Sequence, residues 1–116
     1  GSSTWGAGEL QDDWYDGVNV LKKCDLSHKY VALFGCGDSD SYSDTFCDAI
    51  GIIYEDLKDT HCKFCGAVDT AGYTFDSSIA VVDGKFVGLP IDEVNEDNQT
   101  EERISAWAEQ VKQEIS

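Results

Sequence analysis

Apolar residues recur at steps of three and four in three stretches of the chain, and this spacing predicts three amphipathic helices. The first lies over residues 9–21, although Gly17 weakens it. The second begins near Ser43 or Asp44, either of which can cap its N-terminus, and the third follows Thr100, its expected cap. The positions predicted to face inward are Leu10, Trp14, Val18 and Leu21 in the first helix, Phe46, Ile50, Ile53 and Leu57 in the second, and Ile104, Trp107, Ala108, Val111 and Ile115 in the third.

Short apolar runs between these helices predict buried strands. Residues 30–34 form an unbroken apolar run, which is typical of a strand covered on both faces in a parallel sheet. Residues 62–68 are a second candidate. Residues 79–82 and 85–89 flank Asp83-Gly84, a two-residue sequence that strongly favours a hairpin. Because helices alternate with buried strands, the predicted fold class is α/β.

Length and composition indicate a single globular domain. The chain has 116 residues, of which 41% are hydrophobic, and this is enough for one core. No apolar run approaches the roughly 20 residues of a membrane span, and no stretch has the pattern of a signal peptide, so we expect a cytoplasmic protein. Five cysteines without paired spacing favour free thiols in a reducing compartment.

The charge of the chain is strongly negative and limits its partners. Asp and Glu number 23 against 8 Lys and Arg, which gives a formal net charge of −15. Nucleic acid is not an expected partner, because binding it depends on basic side chains that neutralise phosphates, and an anionic membrane would be repelled. The same field steers the protein toward basic protein surfaces. The alternative is that the charge only keeps the protein soluble.

Three short motifs give little support for a metal, redox or dinucleotide site. Cys62 and Cys65 have CxxC spacing, but on a strand they point to opposite faces, which favours neither a disulfide nor a shared metal. His28 and His61 have no cysteine or carboxylate at ligand spacing, so a metal site is not expected. The Gly-Cys-Gly sequence at 35–37 is too short for a dinucleotide-binding fingerprint.

Two loops have the composition of a ligand site. Residues 3–8 combine hydroxyls, a tryptophan and small residues before a helix, and residues 35–42 follow the best strand and end in Tyr42. In open parallel sheets, ligands bind beyond the carboxyl ends of the strands, where such loops lie. Glycines let a backbone approach a ligand, and the rings of Trp5 and Tyr42 can clamp a planar one. The alternative is that both rings are partly buried loop residues.

Four segments resemble the flavodoxin family in order and spacing: STWGAGELQDDW, VALFGCGDSDSYSDTFCDAIG, DGKFVGLPIDE and TEERISAWAEQVKQE. The resemblance covers almost the whole chain, taken as one domain over residues 1–116. It implies a flavodoxin-like fold of three layers, a parallel sheet flanked by helices. It also implies low-potential electron transfer by non-covalently bound FMN, in a carrier that serves reductases and electron acceptors with basic surfaces and is not an enzyme. Residues 69–89 resemble the insertion of long-chain flavodoxins.

The resemblance further implies which residues hold the flavin. Trp5 and Tyr42 stack on its two faces, the carbonyl of Gly6 accepts a hydrogen bond from N5–H of the reduced flavin after a peptide flip, and backbone groups of residues 36–38 bond the pyrimidine edge. The hydroxyls of Ser3 and Thr4 reach the phosphate and ribityl end of FMN. The full set of cofactor-binding residues is Ser3, Thr4, Trp5, Gly6, Ala7, Gly35, Cys36, Gly37, Asp38, Tyr42, Thr45 and Asp92.

One feature of the family is absent from the sequence. No S/T-x-T-G-x-T segment, which holds the flavin phosphate in flavodoxins, occurs in the chain. The resemblance therefore implies that the N-terminal part of the fold, with strands 1 and 2 and most of 3, is missing, which leaves one edge of the 30–34 strand open. Another chain or self-association can supply the missing strands. The alternatives are a flavin-free binding or signalling module of the same fold, or a truncated fragment unable to hold FMN.

Overall fold

The computed structural model describes residues 1–5, 8–10 and 12–115, and for residues 3, 5, 10, 12 and 13 it describes the backbone only. Helices and short strands alternate along this part of the chain. The strands are β1 (Ser2–Trp5), β2 (Glu9–Leu10), β3 (Tyr30–Ala32), β4 (Phe34–Cys36), β5 (Lys63–Cys65), β6 (Val68–Asp69), β7 (Val81–Val82), β8 (Lys85–Phe86) and β9 (Leu89–Ile91). The α-helices are α1 (Asp12–Leu21), α2 (Asp48–Leu57) and α3 (Asp97–Glu114), and a 3-10 turn (Lys58–Thr60) follows α2.

The central sheet is built on parallel pairing around β4. This strand lies between β1 and β9, with Gly35 opposite Ser2 on one side and Pro90 on the other. Strand β3 pairs in parallel with β5, and β2 pairs antiparallel with β1. The α2 helix packs on the sheet, and its buried face carries the predicted residues Ile50, Ile53 and Leu57. The predicted α/β class with a parallel sheet is therefore confirmed.

The 30–34 run is two strands rather than one. It is interrupted at Leu33, whose carbonyl accepts a hydrogen bond from the N–H of Leu89 at 2.8 Å. The expectation that both faces are covered is wrong at its ends, because the side chains of Tyr30 and Phe34 are 52% and 46% exposed. Within the described residues, β3 has a hydrogen-bonded neighbour only on its β5 side, while β4 is paired on both sides. Among the described residues, one side of β3 therefore has no paired strand.

The starts of the helices differ from the sequence prediction. α1 begins at Asp12 and not at residue 9, because residues 9–10 pair with β1 instead. α2 begins after Cys47, whose backbone is left-handed at φ 53°, and neither predicted cap, Ser43 or Asp44, occupies the N-cap. α3 begins after Glu96, one turn before the predicted cap Thr100. Neither Cys47 nor Glu96 makes a side-chain capping hydrogen bond, so side-chain capping does not set where α2 and α3 begin.

The inward face of α3 is narrower than predicted. Trp107 is half-buried, packs edge-to-face on Phe34 at 6.2 Å and donates from Nε1 to the carbonyl of Gly66 at 2.8 Å. Val111 is also half-buried, but Ile104, Ala108 and Ile115 are exposed, so the prediction was wrong for those three.

A second attachment of α3 is through Arg103. Its guanidinium lies 4.0 Å from the ring centre of Tyr73 and donates to the carbonyl of Gly72 and to Glu96. A planar cation that stacks and donates in several directions fixes a helix more rigidly than a lysine would. Arg103 therefore holds α3 against the segment that contains Gly72 and Tyr73. Trp107 holds it against the strand that contains Phe34.

The segment between β5 and β9 folds as a small antiparallel sheet. β8 pairs with β7 and β6, and the predicted hairpin is confirmed, with Asp83 and Gly84 both at positive φ (54° and 82°) as a type I′ turn requires. The predicted 62–68 strand is broken at Gly66, which lies at φ +80°. Beneath this sheet, the fully buried ring of Phe46 contacts the rings of three residues: Tyr73, Phe75 and Phe86.

In the described part of the chain, no helix is long and apolar enough to cross a membrane.

Candidate functional site

A cavity of about 190 Å³ lies beyond the carboxyl ends of β1 and β4, where the sequence placed a ligand site. It brings together six of the twelve predicted cofactor-binding residues and two residues that the sequence reasoning missed. The predicted residues are Thr4, Cys36, Gly37, Asp38, Tyr42 and Thr45, and the missed ones are Cys47 and Val94. Val94 is 69% exposed, and an isolated apolar residue in a polar turn is the one signal that could have indicated it.

The remaining predicted residues divide into two groups. Gly35 and Asp92 are buried and are not among the residues that line the cavity. Gly6, Ala7 and the side chains of Ser3 and Trp5 fall outside the described residues, so their predicted roles stay predictions.

Two threonines present hydroxyls at the cavity. Thr4 Oγ1 accepts a hydrogen bond from the N–H of Ala49 at 3.1 Å, which ties the end of β1 to the first turn of α2. Thr45 Oγ1 is buried and has no hydrogen-bond partner among the described residues. A buried hydroxyl without a partner costs free energy, and such a group beside a cavity is commonly satisfied by water or by a ligand.

Tyr42 stands at the mouth of the cavity with its side chain 46% exposed. Its N–H donates to the carbonyl of Asp38 at 3.0 Å, which closes one turn of backbone. Within that turn, the carboxylate of Asp38 accepts from the N–H groups of Asp40 and Ser41 at 3.1 and 3.0 Å. The hydrogen bond from Ser41, followed by that from the Asn95 side chain, lowers the pKa of Asp38. The exposed ring is therefore carried on a loop with its own internal hydrogen bonds.

Asp92 ties this loop to the segment after β9. Its side chain is 0% exposed and accepts hydrogen bonds from the N–H and hydroxyl of Ser39 and from the N–H and side-chain amide of Asn95. Burial acts to raise the pKa of Asp92, but these hydrogen bonds outweigh it, and the net pKa is lowered. Asp92 is not among the residues that line the cavity.

The glycines of the site serve packing between segments. A Cβ on Gly35 would stand 2.3 Å from the carbonyl oxygen of Ser2, and one on Gly37 would stand 2.8 Å from Sγ of Cys47. These small residues allow β1, β4 and the residues before α2 to meet closely.

Burial raises the pKa of both cavity cysteines, Cys36 and Cys47, and the charge of Glu93 adds to the shift at Cys36. Both thiols are therefore neutral.

The other cysteines also remain thiols. All five are free, as the composition predicted. Cys62 Sγ lies 3.7 Å from the carbonyl oxygen of Leu57, and Cys65 Sγ lies 3.7 Å from that of Val31, so the two members of the CxxC sequence have separate surroundings. Among the residues that the structure describes, no three His, Cys, Asp or Glu side chains are grouped as metal ligands.

A known family accounts for most of the chain, since its model, described as Flavodoxin, matches residues 1–107. The chain belongs to the flavodoxin family. Flavodoxin 1 of Azotobacter vinelandii is 45% identical over 117 residues, covering 99% of this chain and 67% of that protein. The flavodoxin of Helicobacter pylori is 51% identical over 109 residues, covering 94% of this chain and 65% of that protein. The chain thus spans about two-thirds of the length of these flavodoxins.

Solved structures agree with the family assignment. The crystal structure of Fusobacterium nucleatum flavodoxin bound to flavin mononucleotide superposes with a TM-score of 0.93 at 31% sequence identity. The match covers 97% of this chain and 68% of that one. The flavodoxin-like fold, a parallel sheet with flanking helices, is therefore confirmed.

Two buried carboxylates, those of Asp48 and Asp92, are expected to respond to pH in opposite directions. Burial raises the pKa of Asp48, although the N–H of Ile79 donates to it at 2.9 Å, whereas the pKa of Asp92 is lowered. Asp92 therefore contributes stability above its unfolded pKa, near 3.9, and this contribution is lost as pH falls through its lower folded pKa. Asp48 contributes stability at low pH, and this is lost as pH rises through its higher folded pKa.

Urea unfolding of Asp92→Asn and Asp48→Asn between about pH 3 and pH 7 tests these signs. The stability difference between the unsubstituted chain and Asp92→Asn should grow as pH rises. Over the same range, the free energy of unfolding of Asp48→Asn should rise relative to that of the unsubstituted chain. Parallel pH profiles for the two variants would contradict the assigned directions.

Proposed function

We propose that this chain carries FMN, non-covalently bound, and acts as a low-potential electron carrier rather than as an enzyme. The observation that carries the proposal is the buried hydroxyl of Thr45, which lacks a partner among the described residues and lies beside the exposed ring of Tyr42. A flat aromatic ring next to an unsatisfied polar group fits the edge of a flavin, which offers a π face and hydrogen-bonding atoms. The name of the Fusobacterium nucleatum protein, which binds flavin mononucleotide, supports the same ligand.

The described residues fit the ring portion of FMN. Tyr42 supplies one stacking face, backbone groups of residues 36–38 the pyrimidine edge, and Thr4 a hydroxyl toward the ribityl chain. The second stacking face is assigned to Trp5 and the N5 contact to the carbonyl of Gly6, both from the sequence alone. Bound FMN supplies the one- and two-electron chemistry, and the side chains of the site orient it and limit its access to water.

The negative charge of the protein sets the direction of its redox tuning. With a net charge of −15, and with Asp38 at the cavity and Glu93 close enough to raise the pKa of the Cys36 thiol, adding negative charge to the flavin is disfavoured. The reduced flavin is then a strong electron donor. The same charge favours redox partners with basic surfaces, such as reductases and electron acceptors.

Three finer assignments follow the family resemblance. The small sheet of β6, β7 and β8 falls within residues 69–89 apart from Val68, and we assign it to the long-chain insertion. We assign most of the phosphate contacts to the S/T-x-T-G-x-T loop of the family, which does not occur in this sequence, and the remaining ones to the hydroxyls of Ser3 and Thr4. The cytoplasm is the expected compartment.

Titration of free flavin with the chain tests the proposal. Stacking on Tyr42 should quench the fluorescence of FMN in a saturable manner, and riboflavin should be bound with nearly the same affinity. The same titration in urea, where the chain is unfolded, is the control and should give no saturable quenching. Absence of quenching by either flavin would favour the flavin-free module or a fragment that cannot hold FMN. Tight binding of FMN but not of riboflavin would show that the phosphate is held by residues in this chain.

A further inference from the structure

We propose that Asp92 is a positioning residue that fixes the loop of residues 36–42 in the shape that receives the flavin, without touching the flavin itself. The inference rests on the proposed function and adds a role for a buried residue that does not line the cavity. The segment after β9, residues 92–96, is called the 92–96 turn below. It is closed by a hydrogen bond from the N–H of Glu96 to the carbonyl of Asp92 at 2.9 Å.

The carboxylate of Asp92 is fully buried, and both of its oxygens accept hydrogen bonds. Ser39 donates to Oδ2 from its N–H at 3.1 Å and from its hydroxyl. Asn95 donates to Oδ1 from its N–H at 3.0 Å, and its side-chain amide lies 3.1 and 3.2 Å from the two oxygens. A buried carboxylate is retained only where donors compensate its desolvation. Here the donors come from two segments, and Ser39 is 53 residues away in sequence.

These hydrogen bonds continue into the part of the loop that carries the ring of Tyr42. Besides Asp92, the amide of Asn95 donates to Oδ1 of Asp38 at 2.8 Å. That oxygen also accepts the N–H of Ser41, and the carbonyl of Asp38 accepts the N–H of Tyr42 at 3.0 Å. A continuous series of hydrogen bonds therefore links the 92–96 turn to the backbone of Tyr42.

The loop of residues 36–42 is also held by a hydrogen bond near its N-terminal end. The N–H of Gly37 donates to the carbonyl of Ile91 at 2.9 Å, next to Asp92. The loop is therefore anchored on β9 and on the 92–96 turn rather than by the ligand. A loop held in its binding conformation before the ligand arrives pays less ordering entropy on binding.

Flavin titrations of Asp92→Asn test the role. The substitution keeps the shape of the side chain but turns an amide N–H toward Ser39, which itself donates, so the loop loses one of its anchors. We expect the dissociation constants of FMN and riboflavin to rise by about five- to tenfold and by the same factor. We also expect more fluorescence to remain at saturation, because Tyr42 no longer lies flat on the ring. Near-ultraviolet circular dichroism of the flavin-free variant checks that it is folded.

The control is Asp83→Asn, the same chemical change at the exposed tip of the β7–β8 hairpin, which should leave affinity and residual fluorescence unchanged. Should Asp92→Asn not fold, Ser39→Ala removes only the hydroxyl donor and should give a smaller effect in the same direction. A variant that merely lost stability would quench fully once folded and saturated, and that result would overturn the positioning role. An unsubstituted chain that binds neither flavin would overturn the proposed function, and the positioning role with it.

Discussion

Phe46→Ala is expected to lower the free energy of unfolding by about 3–5 kcal/mol, the range for removing a buried aromatic side chain. The ring is 0% exposed and lies 5.7 Å from the ring of Phe75 and 6.1 Å from that of Phe86. It joins the residues before α2 to the small sheet of β6, β7 and β8, so the cavity left behind would be bordered by two parts of the fold. Urea denaturation followed by circular dichroism gives the free-energy change.

Phe34→Ala is the matched control for this change. Its ring is 46% exposed and makes one edge-to-face contact, with Trp107. We therefore expect a loss of roughly 1 kcal/mol, within the range for truncating a partly exposed side chain. An equal loss in the two variants would mean that the ring cluster around Phe46 is not the centre of the core.

Tyr42→Ala is expected to weaken FMN binding by about 1–3 kcal/mol, roughly 5- to 150-fold, through loss of ring stacking. The free energy of unfolding of the flavin-free chain should fall by roughly 1 kcal/mol, as for Phe34→Ala, because both rings are 46% exposed. Fluorescence titration measures the first quantity and urea denaturation the second. The sequence predicts the same loss of affinity for Trp5→Ala.

Two further variants separate stacking from other roles of Tyr42. Tyr42→Phe keeps the ring and should bind FMN nearly as well as the unsubstituted chain. Tyr30→Ala removes an exposed ring on β3, away from the cavity, and should leave affinity unchanged. Unaltered affinity in Tyr42→Ala would show that this ring does not contact the flavin.

Local patterns were sufficient where one segment determines its own conformation. The Asp83-Gly84 turn needs two residues that tolerate positive φ, and the sequence supplies both side by side. The buried face of α2 follows from the spacing of Ile50, Ile53 and Leu57 within a single helix. Six cavity residues were identified from the resemblance to flavodoxins and from their position after predicted strands.

Local patterns failed where a distant segment competes for the same residues. Leu10 has helical spacing, but pairing with β1 places it in a strand. Ile104 and Ala108 share a helix face with Trp107, but the contacts made by Arg103 and Trp107 orient α3 so that both are exposed. Periodicity reports which face is apolar, and only packing decides how much of that face is covered.

The sequence by itself determined the α/β class, the presence of three helices, the hairpin turn at Asp83-Gly84 and the net charge of −15. The tertiary structure alone decided that Asp92 is buried behind the loop of Tyr42 and shared by Ser39 and Asn95. It also decided that the hydroxyl of Thr45 is enclosed without a partner in the described residues. The physical reason is that burial and hydrogen bonding are properties of segments brought together from far apart in the chain, whereas residue type and spacing describe only one segment at a time.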